Sequence, residues 1–370
     1  MLIDEYQATI NACRFCPMCR HVCTAATATR NEANTPRAKG LTLMAMQKGL
    51  LDYNDPRTVQ AMYECATCRR CREWCLNRFD IAEAMLAARA DLVAEGHAPA
   101  TALSVRSKIL AENNPYGEPS ALRLARVPAA RSARQGRVLY FLGCNVAYRR
   151  HEMAEAVLRV LAAAEVDVTV LADEPCCGAP LYLLGFRDDA LALARSNVQR
   201  LQREGYETIV FSCPNCTRML RKMYPQWGLT LEGVRLLHTT EYLDELTGEG
   251  RVPLNGGAPV SVTYLDPCML GRELGVYDAP RRVLGRLRDV TLKELRHNRE
   301  LGPCCGNGGG MHLMAPPIAH EAGHRTGNEV LKTGAQILVT ACANCKTSMV
   351  KHTPGMEVLD IAEMVSRWVG

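Results

Sequence analysis

The sequence predicts an α+β protein: a helical N-terminal domain, then two tandem α/β units that each carry a parallel sheet. Three observations predict it. In the first hundred residues, Leu41–Leu51 and Ile81–Ala94 show helical apolar spacing beside two identical runs of the form C-x2-C-x2-C-x3-C. From Arg137 onward, short β-rich runs alternate with helical stretches. After a Gly/Pro break at Pro253–Pro259 the alternation starts again with local copies: Pro175-Cys-Cys-Gly returns as Pro303-Cys-Cys-Gly, and Cys213-Pro-Asn-Cys as Cys342-Ala-Asn-Cys. The expected domains are 1–100, a linker over 101–136, and repeats over 137–252 and 253–370.

The elements follow in chain order. Asn113–Gly136 carries three prolines, many arginines and little periodicity, so it reads as linker. Strands are expected at 138–143 (VLYFLG), 168–173 (VTVLAD) and 208–212 (TIVFS), separated by helices at His151–Glu165 and Asp188–Glu204. The second unit offers strands at 260–266, near 290–295 and at 335–340, with helices at Pro280–Leu287 and Ile318–Lys332. The closing segments 238–246 and 359–365 also match in kind. Cys144, Cys176, Cys213, Cys268 and Cys342 each fall at or shortly after the carboxyl end of an expected strand, the edge where open parallel sheets gather their sites. Cys304 is less clearly so placed.

Composition narrows the function. The opening MLIDEYQATI is acidic where a secretory signal is basic and apolar, and no apolar stretch is long enough to span a membrane. Eighteen cysteines in such a chain point to a reducing cytosol and to ligation rather than disulfides. Between Cys13 and Arg78, eleven Lys and Arg face five Asp and Glu, a surplus of six against +5 for the whole chain. That surplus reads either as a solvated face or as a surface around Arg69, Arg70 and Arg72 that docks an acidic partner. With few aromatics interleaved, it does not read as a nucleic-acid surface.

All eighteen thiols fall into repeated arrays. Cys13, Cys16, Cys19, Cys23 and Cys65, Cys68, Cys71, Cys75 have the spacing that wraps [4Fe–4S] cubes, the fourth cysteine of each run reaching the other cube. One cubane is then assigned to Cys13, Cys16, Cys19 and Cys75, and the other to Cys65, Cys68, Cys71 and Cys23. The usual proline after the fourth cysteine is replaced by Thr24 and Leu76. Structural zinc is the competing reading, but it favours paired C-x2-C knuckles. Two five-cysteine sets follow, Cys144, Cys176, Cys177, Cys213, Cys216 and Cys268, Cys304, Cys305, Cys342, Cys345. A cube needs four thiolates, so a fifth bridges, joins an unusual cluster or stays free. The adjacent pairs also admit a vicinal redox disulfide.

The arrangement resembles the CCG domain found twice in heterodisulfide reductase subunits, and the iron–sulfur subunits of glycolate oxidase, anaerobic glycerol-3-phosphate dehydrogenase and lactate-utilisation systems. The segment 34–39 (NTPRAK) is similar to the family's Ser-Pro-Arg-Gly, with Thr35 at the usual serine, and 264–272 (YLDPCMLGR) is similar to its second-repeat opening. The resemblance implies a noncubane [4Fe–4S] cluster in each complete five-cysteine set. It implies an electron-transfer subunit that takes electrons from a flavoprotein partner oxidising a 2-hydroxy acid of glycolate or lactate type and passes them to a quinone or other carrier. The alternative it implies is a catalytic subunit reducing a disulfide at the CCG clusters. The expected location is cytoplasmic, either free or peripheral at the inner membrane face. Gly308-Gly-Gly310 is not a dinucleotide-binding turn and reads as a loop against a cluster site, so FAD is expected only on the partner. His320 and His324, on a helix with polar neighbours, read as surface residues, and His238 has no assigned role.

Overall fold

A computed structural model describes residues 1–131 and 136–370 of the chain. It contains two four-stranded parallel sheets with many helices around them. The first sheet holds β1 (Val138–Phe141), β2 (Val168–Thr169), β3 (Thr208–Phe211) and β4 (Arg235–His238) in the order β2-β1-β3-β4. The second holds β5 (Val260–Leu265), β6 (Val290–Leu292), β7 (Ile337–Thr340) and β8 (Glu357–Asp360) in the identical order β6-β5-β7-β8. All six expected strands are present, and each unit adds a fourth, β4 or β8, that the sequence reading passed over. These two are edge strands paired on one side only, so they lack the continuous apolar run of β3 and β7, both fully buried.

β2 is shorter than its six-residue β-rich run because the chain leaves the sheet to turn Glu174 inward. The buried Glu174 carboxylate accepts from the amides of Leu142 (2.6 Å) and Gly143 (2.9 Å) and pairs with Arg123 (3.0 Å). Arg123 lies in the segment expected to be linker, yet it is fully buried. Residues 132–135 of that segment lie outside the described residues.

The two repeats pack reciprocally. Helix His151–Ala163 of the first lies on the closing helix Ile361–Ser366 of the second, and the first unit's closing helix, Thr239–Gly248, lies on Asp278–Arg286. Such exchange of equivalent elements is the contact pattern of a two-fold-related pair. One aliphatic core runs through both units, from Val157, Leu158 and Leu161 to Ile361, Met364 and Val365. The N-terminal 112 residues are helical. Helix Pro36–Gln47 starts with Thr35 as N-cap, its hydroxyl accepting from Ala38 N, and Pro36 in the first turn. Helix Ile81–Ala94 is capped by Asp80 and packs beneath it. Among the described residues, no helix is long and apolar enough to cross a membrane.

Candidate metal centres

The fold brings the thiols into four neighbourhoods. Cys13 lies among Cys19, Cys75 and Cys16, whose charges together with burial push its thiol up to about 12. Cys71 lies among Cys23, Cys68 and Cys65. Cys75 of the second run thus lies near Cys13 of the first, and Cys23 of the first near Cys71 of the second. Thr24, at the missing proline, begins helix Thr24–Thr29 as a proline would and adds a hydroxyl 3.3 Å from Cys68 Sγ. Leu76, at the other, is 86% exposed.

In the first repeat, loops after β1, β2 and β3 carry Cys144, the Cys176–Cys177 pair, and Cys213 with Cys216. The Cys177 thiol neighbours those of Cys176 and Cys216, Cys216 neighbours Cys213, and Cys144 adjoins Cys177 and Cys213. In the second repeat the chain of thiol contacts runs Cys268, Cys304, Cys305, Cys345, Cys342. Cys304 does sit in the loop that leaves the carboxyl end of β6, after a 3-10 turn at Arg299–Leu301. Asn145, next to Cys144, donates to Asn344 between Cys342 and Cys345 (2.6 Å), so the two sets face one another across the repeat interface.

The donors are thiols alone; eight of the eighteen cysteines are buried, and Cys16 is exposed. Among the described residues no three His, Cys, Asp or Glu side chains come close enough to share a single metal ion. An all-sulfur donor set is the one iron–sulfur clusters take, each thiolate binding a different iron. The donor set thus suits a polynuclear thiolate site.

Cationic groups are buried among these thiols. Lys39, from the NTPRAK segment, donates to Asn34 O (2.6 Å) and lies 4.0 Å from Cys23 Sγ. Burial opposes its charge, but the surrounding thiols outweigh burial and hold its pKa above the usual lysine value. Arg272 donates to the carbonyls of Cys68 (2.5 Å), Glu300 and Gly302 (3.0 Å each). Arg89, wholly buried, bonds the carbonyls of Met62, Cys65, Leu183 and Gly309, tying the second cysteine run to both repeats. Sequence spacing gave no signal for Arg89 or for Arg123. Two sets also meet: Cys68 and Cys304 pack in one buried cluster with Ala66 and Met311, close enough for each thiol to perturb the other's ionisation.

The glycine run 308–310 is where the second repeat meets the second cysteine run. A Cβ on Gly308 would stand 2.5 Å from Ala66 O, and one on Gly309 2.6 Å from Cys65 O. The glycines after the two Cys-Cys pairs differ. Both have positive φ, +76° at Gly178 and +87° at Gly306, but a Cβ would meet Ala190 O at 3.4 Å in the first and Ala319 O at 2.3 Å in the second. Gly178→Ala should therefore cost about 1–2 kcal/mol of backbone strain, and Gly306→Ala visibly more, since helix Pro316–Leu331 must shift. Thermal melts of the two variants check this, and equal losses would contradict it.

The surface expected around Arg69, Arg70 and Arg72 is not a surface. Arg69 is only 2% exposed, turned inward by its left-handed backbone (φ 59°), and pairs with Asp80 (2.7 Å), Glu83 and Glu273 (2.8 Å). Arg72 pairs with Glu73 and Glu273, and Arg218 with Glu83 (2.9 Å) and Glu273 (2.9 Å). Arg70 is largely covered as well, its Nε buried without a partner. Arg69 and Arg72 are instead matched by Asp80 and Glu83, just past the counted stretch, and by Glu273 of the second repeat, which lies too far along the chain for a local count to include. His238 is fully buried as the N-cap of Thr239–Gly248, accepting from Thr240 N, and burial lowers its pKa to about 3.

A cavity of about 120 Å³ opens on the first five-cysteine set. Cys144, Cys177, Cys213 and Cys216 form one wall, and His312 and Leu313 of the second repeat face them.

Comparison with known proteins agrees with this architecture. Residues 138–221 and 262–350 each match the CCG cysteine-rich domain. A subunit of the dihydromethanophenazine:CoB–CoM heterodisulfide reductase of Methanosarcina barkeri is 31% identical over 319 residues, 84% of this chain and 78% of that one. EtfAB:quinone oxidoreductase of Syntrophomonas wolfei is 28% identical over 334 residues, 83% of this chain but 46% of that one. A hypothetical protein from Helicobacter pylori of known crystal structure shares the fold, with a TM-score of 0.54 over 90% of this chain and 68% of that one at 9% identity.

Proposed function

Because the chain belongs to the family of CCG-domain iron–sulfur proteins that includes this heterodisulfide reductase component, we propose that it is the iron–sulfur electron-transfer subunit of a multisubunit oxidoreductase. Its N-terminal region is the ferredoxin-like part, with cubanes on Cys13, Cys16, Cys19, Cys75 and on Cys65, Cys68, Cys71, Cys23. Each five-cysteine set holds a further cluster. The electron source is an FAD-bearing partner acting on a 2-hydroxy acid, and the acceptor is a quinone or another carrier. Bound clusters would supply one-electron redox chemistry, with potentials set by burial, charge and hydrogen bonds to sulfur.

The observation that carries the reading is the Cys68–Cys304 contact, because a relay needs its donor sets to be neighbours. The chain's residues contribute the rest. Lys39 and Arg272 place fixed positive charge beside the thiolates, Arg89 holds the Cys65 backbone, and burial keeps water from both Cys-Cys pairs. A second reading, direct reduction of a disulfide at the first five-cysteine set, is favoured by the cavity that opens there.

The test is made on the anaerobically prepared chain. It should carry about sixteen iron atoms, accept electrons from a chemical reductant, and leave hydroxy acids untouched. Adding its flavoprotein partner should make cluster reduction depend on substrate. Rapid disulfide reduction by the chain alone would replace the relay reading with the catalytic one.

A further inference from the structure

Helix Pro316–Leu331 carries the sequence His320-Glu321-Ala322-Gly323-His324, a spacing that puts two imidazoles on one helix face. Gly323 and Gly327 share that face, and the room they leave is taken by His352, the last residue of helix Ala343–His352. A Cβ on Gly323 would stand 2.6 Å from His352 Cε1 and 2.7 Å from its Nδ1, and one on Gly327 would stand 2.1 Å from the His352 carbonyl oxygen. The His352 ring therefore lies along the face from Gly327 towards Gly323 and ends against His320, ring centroids 4.8 Å apart at 70°.

The two nitrogens of His352 are differently placed. Nδ1 lies 2.8 Å from the Ser348 carbonyl, which can only accept, so Nδ1 carries the proton and Nε2 the lone pair. Nε2 is buried without a hydrogen-bond partner, on a residue 8% exposed. An unmatched buried acceptor is costly, and a ring tied by one nitrogen to a backbone carbonyl has the form that metal-ligating histidines take at the other. Burial first, with His320 and His324 adding to it, holds the His352 pKa below the usual histidine value, so the ring is neutral at neutral pH.

We propose that His320, His324 and His352 form a binding site for one divalent transition-metal ion, zinc by preference, with a fourth position open to water. Three imidazoles suit zinc, copper or nickel and not magnesium or calcium, and three protein donors with an open position is a recurring zinc arrangement. His324 now sits 3.1 Å from Asn328 Nδ2, and the three rings do not yet converge. His320 and His324 are exposed and His320 already touches the His352 ring, so the site calls for rotation of these two side chains and no backbone movement. The ion would pin together the two helices that grip the Cys304–Cys305 pair. Thr326 Oγ1 donates to the Cys304 carbonyl (2.8 Å) from one helix, and Ser348 Oγ to the Cys305 carbonyl (2.6 Å) from the other. The site stands independently of the electron-transfer reading.

The test uses the full, iron-loaded chain, so that thiols do not compete, incubated with a small excess of Zn2+ under argon and desalted. Wild type should retain one zinc per chain. X-ray absorption at the zinc edge should show a nearest shell at about 2.0–2.1 Å from nitrogen, not the roughly 2.3 Å of thiolate. The double variant His320→Gln, His324→Gln alters exposed residues only. It should lose that zinc, with a drop in affinity of tenfold or more, while its iron content and visible cluster absorption stay at wild-type values. Zinc retained equally by the double variant, a sulfur shell, or no zinc on the wild-type chain would each overturn the proposal.

Discussion

Glu273→Gln should cost about 3–5 kcal/mol of stability, one of the largest effects expected of any single change outside the cysteines. Glu273 comes from the second repeat, is almost wholly buried, and accepts from Arg69 and Arg72 of the N-terminal region and from Arg218 and Lys222 (3.2 Å) of the first repeat. Removing its charge leaves two buried guanidinium groups, Arg69 and Arg218, undercompensated at the junction of all three parts. Burial alone would raise the Glu273 pKa, yet Arg69, Arg218 and Lys222 outweigh burial and hold it down to about 2. Its unfolded value is about 4.3. A carboxylate depressed on folding contributes stability in full above its unfolded pKa and loses it as pH falls through the folded one. The gap between wild type and Glu273→Gln should therefore be constant near neutral pH and shrink from about pH 4.3 down towards 2. Thermal melts should show a fall of about 4–6 °C for a chain of this size. Glu245→Gln, which breaks an exposed pair with Arg235, should cost at most about 1 kcal/mol. Equal melting of the two variants would show that the buried network does not hold the parts together.

Cys304→Ser should lower the iron content from about sixteen to about twelve atoms per chain by emptying the second five-cysteine set. Its thiol touches Cys268, Cys305 and Cys68, so the loss should reach further than one site. The low-temperature EPR of the cluster assigned to Cys65, Cys68, Cys71 and Cys23 should change shape, since a paramagnetic neighbour is removed from beside Cys68. Signals from the first five-cysteine set should persist. Cys16→Ser, at an exposed cysteine of the other cubane, should leave the second repeat's signals as they are. Disappearance of every cluster signal in Cys304→Ser, or an unchanged iron content, would contradict the assignment of ligands.

Much of this was legible in the chain. Ile81–Ala94 is a helix over the span its apolar spacing indicates, and His151–Ala163 and Arg187–Glu204 end within two residues of their expected bounds. The six expected strands and the duplication are present because each depends on local periodicity, and helix caps and the cysteine spacings are likewise short-range features. The helix expected at Leu41–Leu51 instead starts at Pro36, where Thr35 supplies a cap stronger than the apolar pattern that follows.

Short-range signals thus set the elements, their repeat, and which thiols travel together on one loop. Those follow from residues within a few positions of one another, where backbone geometry alone sets the distances. Long-range packing turned Arg69 inward to Glu273, brought Cys68 to Cys304, and laid His352 across Gly323 and Gly327 to reach His320. In each case the partners are far apart along the chain, and their meeting depends on which faces pack so that buried charges are matched and side chains fit without voids. A basic count around Arg69 cannot anticipate an acid two hundred residues later. The fold brings them together because a guanidinium buried there without a carboxylate would cost more than the packing around it returns.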